Sequence, residues 1–403
     1  MPIKTVCKKL VDELGSNPWD ALDGISQLTY RWALDGLRAY EETGRNAWIG
    51  EFFPTEVCQI FDLVPVHVEG LIALMFLDGS GGPIVDEGVK YTQSRDICSF
   101  QHGGYGGIYA KTLPSPDVIL RFNVLCDGRE KILHVASHEY KKPYLYVDVP
   151  DTLIPSSMSY IAKQYEALFK DLERLFGPLA TESKIREVFH YSNQVRENLL
   201  KIEALRKKGK TPYHDQYACF ITPVLAWYLG HDQELVKISQ RILKEIEAYQ
   251  RQNPPSDERR FKILLMLLPF MFPFEPFFQW QNEQMKLDVL LEEMGDVFWR
   301  PLDPDKPFES LAWRCLDNFS IGPLERRLEH ALKLAKGFQA DGIVHISHWG
   351  CRHIIAPVKV MKDFFSGHGI PFIDVDADLG DSRNVDLSAI KSRLEGFLSI
   401  LKS

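Results

Sequence analysis

Three of the seven cysteines stand where the sequence could bring thiolates together. Cys126 ends the apolar run DVILRFNVLC, Cys351 follows the run GIVHIS, and Cys98 precedes the glycine-rich segment FQHGGYGGIY. Strand ends are where open α/β sheets build their sites. Three thiolates from distant parts of a chain can hold an iron–sulfur cluster while one iron keeps a free coordination position. Free cysteines are also typical small buried side chains, so spacing alone leaves both interpretations open.

The remaining four cysteines, Cys7, Cys58, Cys219 and Cys315, stand among apolar neighbours and are predicted to be buried. Seven is an odd number, and the sequence contains no C-x-x-C pair. This pattern fits neither a secreted disulfide framework nor a zinc finger. The thiols are therefore expected to be reduced, buried or bound to a cofactor.

Three other side chains are candidates for catalysis. Glu56 lies at a predicted strand-to-helix junction, where a carboxyl in a desolvated cleft can act as a general acid or base. A glutamate in a first helical turn also interacts favourably with the helix dipole. His348 and Arg352 flank Cys351 and could donate protons or hydrogen bonds to a cluster sulfur. The alternative for both is a surface or capping role.

The elements that must position these residues follow an α/β pattern. Residues 1–45 place apolar side chains near the helical period, and residues 155–207 form two further helical stripes. Short apolar runs bounded by Gly, Pro and Asp begin near Trp48 and indicate strands. The last sixty or so residues alternate strand and helix, which predicts a doubly wound parallel sheet. A soft boundary is expected between residues 180 and 215, and a helix is predicted near residues 282–294.

The glycine run from His102 to Gly107 resembles a phosphate-binding loop only superficially. It lacks the G-x-G-x-x-G order and the preceding strand of that motif. We predict instead a loop whose glycines permit a close backbone approach beside Cys98.

Composition excludes several classes of protein. Lys and Arg number 47 against 55 Asp and Glu, which gives a net charge of −8 and no basic field for nucleic acid or an anionic membrane. The first thirteen residues carry five charges, unlike a signal peptide. The apolar stretch 263–278 is interrupted by three prolines and Glu275, so it is too broken to span a bilayer. We expect a cytoplasmic protein without nucleic-acid or membrane partners.

Several segments together resemble a known family from about Trp48 to the C-terminus. They are PTE followed by LVPVHVEG, RDIC at Cys98, LCD at Cys126, and DGIVHISHWGC, HGIPFIDVDAD, DSRN and SRLEGFLSIL near the C-terminus. Their order resembles the iron–sulfur component of 2-hydroxyacyl-CoA dehydratases and benzoyl-CoA reductases. Ser347–Arg352 and Asp381–Asn384 look more like the double-cubane cluster branch of that family.

The resemblance implies a fold, a cofactor and a partner. The fold is two Rossmann-like α/β domains after the N-terminal helical segment 1–45, one at 46–200 with Cys98 and Cys126 and one at 201–403 with Cys351. Those three cysteines would ligate a [4Fe–4S] cluster in the cleft, joined as [8Fe–9S] across a homodimer in the double-cubane branch. Electrons would come from a separate ATP-hydrolysing iron–sulfur activator, and small molecules would be reduced. The chain has no G-x-x-x-x-G-K-[ST] motif, which fits that division of labour.

Two other functions stay open. The chain could be one subunit of a 2-hydroxyacyl-CoA dehydratase or aryl-CoA reductase that works through a ketyl radical. It could also be a non-catalytic electron carrier or maturation protein. The sequence departs from the family pattern at FPFEPFFQW, residues 272–280, where bulky aromatic residues replace the usual small turn.

Overall fold

Two four-stranded parallel sheets form the framework of the protein. The computed structural model describes residues 2–41, 45–213, 215–254, 258–266, 270–271 and 275–403. The first sheet contains β1 Asn46–Ile49, β2 Val64–His67, β3 Val118–Phe122 and β4 Tyr144–Val147 in the order β2-β1-β3-β4. The second contains β5 Phe261–Met266, β6 Leu287–Glu292, β7 Gly342–Ser347 and β8 Phe372–Asp376 in the order β6-β5-β7-β8. The two halves therefore share one strand order.

The helices before and around the first sheet are α1 Pro2–Gly15, α2 Gly24–Arg38, α3 Thr55–Ile60, α4 Val68–Leu77, α5 Gly82–Thr92, α6 Ser99–Tyr109 and α7 Asp127–Tyr140. Those between the sheets are α8 Ser157–Phe176, α9 Glu182–Arg206, α10 Asp215–Pro223 and α11 Gln233–Gln252. Those in the second half are α12 Glu275–Gln279, α13 Pro307–Leu316, α14 Leu324–Phe338, α15 Arg352–Ile355, α16 Val358–Gly367 and α17 Leu387–Lys402. Short π-helical turns at Val224–Tyr228 and Trp280–Gln284 follow α10 and α12.

Burial explains why these segments become parallel strands. Every residue of β1 and of β7 is buried, as expected for strands that are covered by helices on both faces. One apolar core continues from α1 and α2 through both sheets, while a smaller one lies between β5 and the helices α14 and α16. No helix in the described ranges is both long enough and apolar enough to cross a membrane.

The predicted architecture is confirmed: two Rossmann-like parallel sheets follow an N-terminal helical segment. The domain limits 46–200 and 201–403 stay a prediction. The predicted helix near residues 282–294 is wrong, because residues 287–292 form strand β6. That strand pairs with β5 from Phe261 onward and gains ladder hydrogen bonds that the sequence pattern does not reveal. The aromatic segment 272–280 lies partly outside the described residues.

The glycine run is also not a loop, since it lies within α6. Its glycines let α6 pack directly on α5. A Cβ atom added at Gly106 would lie 2.0 Å from the carbonyl oxygen of Ile84, and one added at Gly88 would lie 1.9 Å from that of His102. The close backbone approach was therefore predicted correctly, but between two helices rather than in a loop.

Candidate metal centre

The site lies where the strand order of each sheet reverses. In doubly wound sheets, ligands bind outside the carboxyl ends of the strands at this switch point. Cys126 follows β3 in the first sheet, and Cys351 follows β7 in the second. The two cysteines therefore occupy equivalent positions in the two halves. Cys98 comes from the long β2–β3 connection, directly before α6.

The three cysteines are brought together. Cys98, Cys126 and Cys351 line one cavity of about 130 Å³. Gly350 makes the approach possible, because a Cβ atom at this position would lie only 2.3 Å from the backbone nitrogen of Cys98. The loop that follows β7 thus touches the loop that carries Cys98, although Gly350 and Cys98 are 252 positions apart in the sequence.

Each of the three cysteines is the residue that immediately precedes a helix. Burial raises the pKa of all three thiols, with that of Cys351 reaching about 11. The charges of Cys351 and Cys126 further raise the pKa of Cys98. Three thiolates this close together repel one another. A cationic cofactor would offset that repulsion, since metal ligation requires deprotonated sulfur.

The sulfur of Cys126 accepts hydrogen bonds from two N–H groups. The backbone N–H of Arg129 lies 3.4 Å from this Sγ atom, and Nε2 of Gln101 lies 3.7 Å from it. Hydrogen bonds to ligating sulfur are one of the features that set the reduction potential of an iron–sulfur cluster. The arrangement of donors around Cys126 therefore fits a cluster ligand.

The three sulfurs do not form a ready site for a single tetrahedral ion. A zinc–sulfur bond of about 2.3 Å places the thiolates of a tetrahedral site roughly 3.8 Å apart. Among the described residues, the three cysteines do not form a set whose ligand atoms all lie within 4.8 Å of one another. A multi-iron cluster does not need thiolates that close together, because each thiolate binds a different iron.

The other cysteines are buried away from the cavity, as predicted. Burial raises the pKa of Cys7 and Cys315, each to about 12, and that of Cys58 as well. Cys315 Sγ lies 3.1 Å from the hydroxyl of Tyr165 inside the core. These side chains act as small apolar residues.

Glu56 is not brought to the cysteines. It is fully buried at the start of α3, where one carboxylate oxygen accepts a 2.6 Å hydrogen bond from the Ser192 hydroxyl. The same oxygen lies 3.3 Å from Arg314 and 3.6 Å from His231. Arg314 is the strongest of the influences that hold the pKa of Glu56 below its ordinary value despite burial. These contacts describe an ion pair inside the core, and the catalytic role of Glu56 stays a prediction.

His348 and Arg352 border the same cavity as the cysteines. Nδ1 of His348 accepts a 2.9 Å hydrogen bond from the backbone N–H of Gly350, and its Nε2 lies 3.4 Å from Asp378. Both ring nitrogens of this buried histidine therefore have protein neighbours. Arg352 is exposed and pairs with Asp127, so it joins the residue after Cys351 to the residue after Cys126.

Sequence reasoning missed the polar wall of the cavity. Glu51 lies two residues after the end of β1, Glu69 lies in the first turn of α4, and Tyr228 comes from the π-helical turn after α10. Arg129 Nε donates a 2.5 Å hydrogen bond to Glu69. The position of Glu51 after a strand was a readable signal, whereas Tyr228 joins the wall only through long-range packing.

Comparison with known proteins identifies the family of the chain. The family model described as 2-hydroxyglutaryl-CoA dehydratase, D-component, matches residues 51–401. The chain belongs to this family. The family resemblance predicted from the sequence is therefore confirmed.

Three relatives are similar along almost the whole chain. A subunit of the benzoyl-CoA reductase of Thauera aromatica is 24% identical over 397 residues, with 91% of each chain covered. The (R)-2-hydroxyisocaproyl-CoA dehydratase alpha subunit of Clostridioides difficile is 20% identical and covers 94% of this chain and 95% of its own. The (R)-phenyllactyl-CoA dehydratase alpha subunit of Clostridium sporogenes is 22% identical, with 94% of each covered. All three are named as subunits of enzymes.

Proposed function

We propose that this chain is the cluster-bearing component of a two-component iron–sulfur reductase. The observation that carries the proposal is the meeting of Cys98, Cys126 and Cys351 in one cavity, where the switch points of two sheets meet. When bound there, a [4Fe–4S] cluster supplies one-electron transfer and an iron with a free coordination position. Electrons come from a separate ATP-hydrolysing iron–sulfur activator.

The chain itself supplies a shielded cavity. Apolar side chains of Phe100, Met271, Met294 and Leu379 contribute to its wall and limit the entry of water. Removing water strengthens every electrostatic interaction inside the cavity. At its edge, the ion pair between Arg352 and Asp127 ties the two cysteine-bearing loops together.

Small molecules are the proposed substrates, reduced at a double-cubane [8Fe–9S] cluster that two copies of the chain share. Such a cluster needs a symmetric pair of three-thiolate sites, so the assembly is a homodimer whose cavities face each other. The second candidate is a subunit of a 2-hydroxyacyl-CoA dehydratase or aryl-CoA reductase. The names of the three relatives favour that candidate.

Ligation is tested by replacing Cys98, Cys126 and Cys351 one at a time with Ala and counting iron and acid-labile sulfide in anaerobically purified protein. Each variant should lose most of its iron. Cys58→Ala is the matched control, because its thiol is fully buried outside the cavity and should leave the iron content unchanged. Loss of iron from Cys58→Ala with retention in the other three would refute the ligand set.

The reaction is tested with the protein reconstituted with an ATP-driven iron–sulfur reductase. Acetylene or hydrazine reduction without a CoA ester supports the proposed reductase. Turnover of a 2-hydroxyacyl-CoA alone would establish the second candidate instead. A cluster that cycles between redox states but converts neither compound would indicate an electron carrier or maturation protein. Iron and mass per particle in solution distinguish a homodimer from a complex with a paralogous subunit.

A further inference from the structure

Glu51 lines the cysteine cavity and is a buried carboxylate in which one oxygen has no hydrogen-bond partner among the described residues. The residue is 3% exposed and lies two residues after the end of β1. Its Oε2 atom accepts a 3.1 Å hydrogen bond from the hydroxyl of Tyr228 and lies 3.0 Å from Nε2 of His67. Its Oε1 atom is buried and has no hydrogen-bond partner among the described residues. A buried polar atom without a hydrogen-bond partner lowers the stability of the fold, so its presence calls for a functional explanation.

The contacts around Glu51 do not favour a metal-binding role for its free oxygen. Glu51, His67 and Glu69 each offer a ligand atom within 4.8 Å of the others. However, Nδ1 of His67 accepts a 2.9 Å hydrogen bond from the backbone N–H of Gly70. The proton of a neutral ring therefore lies on Nε2, which faces Glu51 and cannot offer a lone pair to a metal. Glu69 is already paired with Arg129 and Gln101.

The neighbouring groups favour the ionised form of Glu51. Burial raises its pKa, but the neighbouring His67, Arg129 and Tyr228 together bring that pKa below its ordinary value. Glu292 lies in the second sheet, at the end of β6. Burial first, and then the charges of its neighbours Glu293 and Glu51, raise the pKa of Glu292 well above its ordinary value. The charge of Glu51 thus acts on a carboxyl group from the other half of the chain.

We propose that Glu51 is the proton-exchanging residue of this cavity, with its free Oε1 atom taking up a proton and passing it to the molecule that is being reduced. The inference rests on the proposed function. One electron enters from the external low-potential iron–sulfur donor, and its negative charge favours protonation of Glu51 by solvent protons. The proton then moves from Oε1 to the reduced substrate. The substrate has gained one electron and one proton, and Glu51 is again a carboxylate.

His67 and Tyr228 are positioning residues in this scheme. Both lie against Oε2, which leaves Oε1 without a hydrogen-bond partner among the described residues. The His67 ring also stacks on the Tyr228 ring with centroids 4.3 Å apart, which fixes the two groups relative to each other. Removing the Tyr228 hydroxyl weakens the stabilisation of the charged form and makes Glu51 take up its proton at higher pH.

The test is the pH dependence of the cluster midpoint potential in Glu51→Gln. In the wild-type protein, proton uptake on reduction makes the potential rise as pH falls. Gln cannot titrate, so Glu51→Gln should bind the same amount of iron, lose this pH dependence and reduce acetylene roughly 100-fold more slowly. Glu245→Gln is the matched control. Glu245 also accepts a hydrogen bond from a tyrosine hydroxyl, that of Tyr213, but it lies on α11 outside the cavity.

Unchanged pH dependence in iron-loaded Glu51→Gln would overturn the inference and leave the proposed function intact. Absence of iron from the wild-type protein would overturn the proposed function, and this inference with it. Tyr228→Phe provides a second route if Glu51→Gln does not fold. The pH at which the potential begins to change should move upward in Tyr228→Phe, and an unmoved profile in that variant would also refute the role of Glu51.

Discussion

Gly350→Ala should disrupt the cysteine site, because the added methyl group has no room between two of the loops that carry the cysteines. A Cβ atom at Gly350 would lie 2.3 Å from the backbone nitrogen of Cys98 and 2.4 Å from the carbonyl carbon of Ile97. Both neighbours are backbone atoms, which cannot rotate away as a side chain can. The added methyl group must therefore push apart the loop after β7 and the loop before α6.

The size of the effect follows from two ways of relieving this clash. If the loops stay together, overpacking costs about 1–3 kcal/mol of unfolding free energy, and we expect the upper end because backbone atoms are involved. If the loops separate, most of that cost is avoided, but Cys351 moves away from Cys98. Urea unfolding and iron content, measured on the same preparation, distinguish the two cases.

Gly396→Ala is the matched control. Gly396 lies inside α17, and a Cβ atom there would meet nothing within 4 Å. Replacing this helical glycine should stabilise the protein by about 0.5–1 kcal/mol and leave the iron unchanged. If Gly350→Ala keeps both wild-type stability and full iron content, the close contact between the two loops is not required for the site.

Two further predictions concern buried charges. Glu56→Gln should leave Arg314 without its ion-pair partner and lower the unfolding free energy by about 3–5 kcal/mol in urea titrations; full stability with lost activity would instead support a catalytic Glu56. Asp378 accepts hydrogen bonds from Ser99 and Asn384 and faces His348, and its pKa falls from 3.8 to about 2. Ionised Asp378 therefore adds about 2 kcal/mol to the free energy of unfolding above pH 4, and this contribution disappears as the pH falls towards 2. Asp378→Asn should lack that acid-dependent loss, and an identical pH profile would contradict this assignment.

The sequence predicted most of the framework because the framework depends on local patterns. Apolar runs that end in Gly, Asp or Cys indicate parallel strands, and their carboxyl ends locate Cys126 and Cys351 correctly. Strand β6 was missed, since residues 287–292 are held as a strand by pairing with β5. The glycines of α6 were misread for a similar reason. Their role depends on α5, which packs against them through direct backbone contact.

The wall of the site was harder to predict because its members become neighbours only in the folded chain. Glu51 and Tyr228 are separated by 177 positions, yet they share a hydrogen bond beside the cysteines. A glutamate after a strand is common, and no local pattern shows that one of its oxygens lacks a partner. Glu56 shows the opposite case: its sequence position suggested catalysis, but Arg314 and Ser192 occupy its carboxylate.

The shared strand order explains why the position of Cys98 could not be predicted as directly as those of Cys126 and Cys351. Cys126 and Cys351 follow equivalent strands of the two sheets, so both are strand-end residues. Cys98 has no such equivalent, because it lies in the connection that contains α5 and α6. Its position depends on the glycine contacts of those helices and on Gly350. Two cysteines are thus fixed by strand topology and one by helix packing, while Glu51, at the end of β1, lies at the switch point beside them.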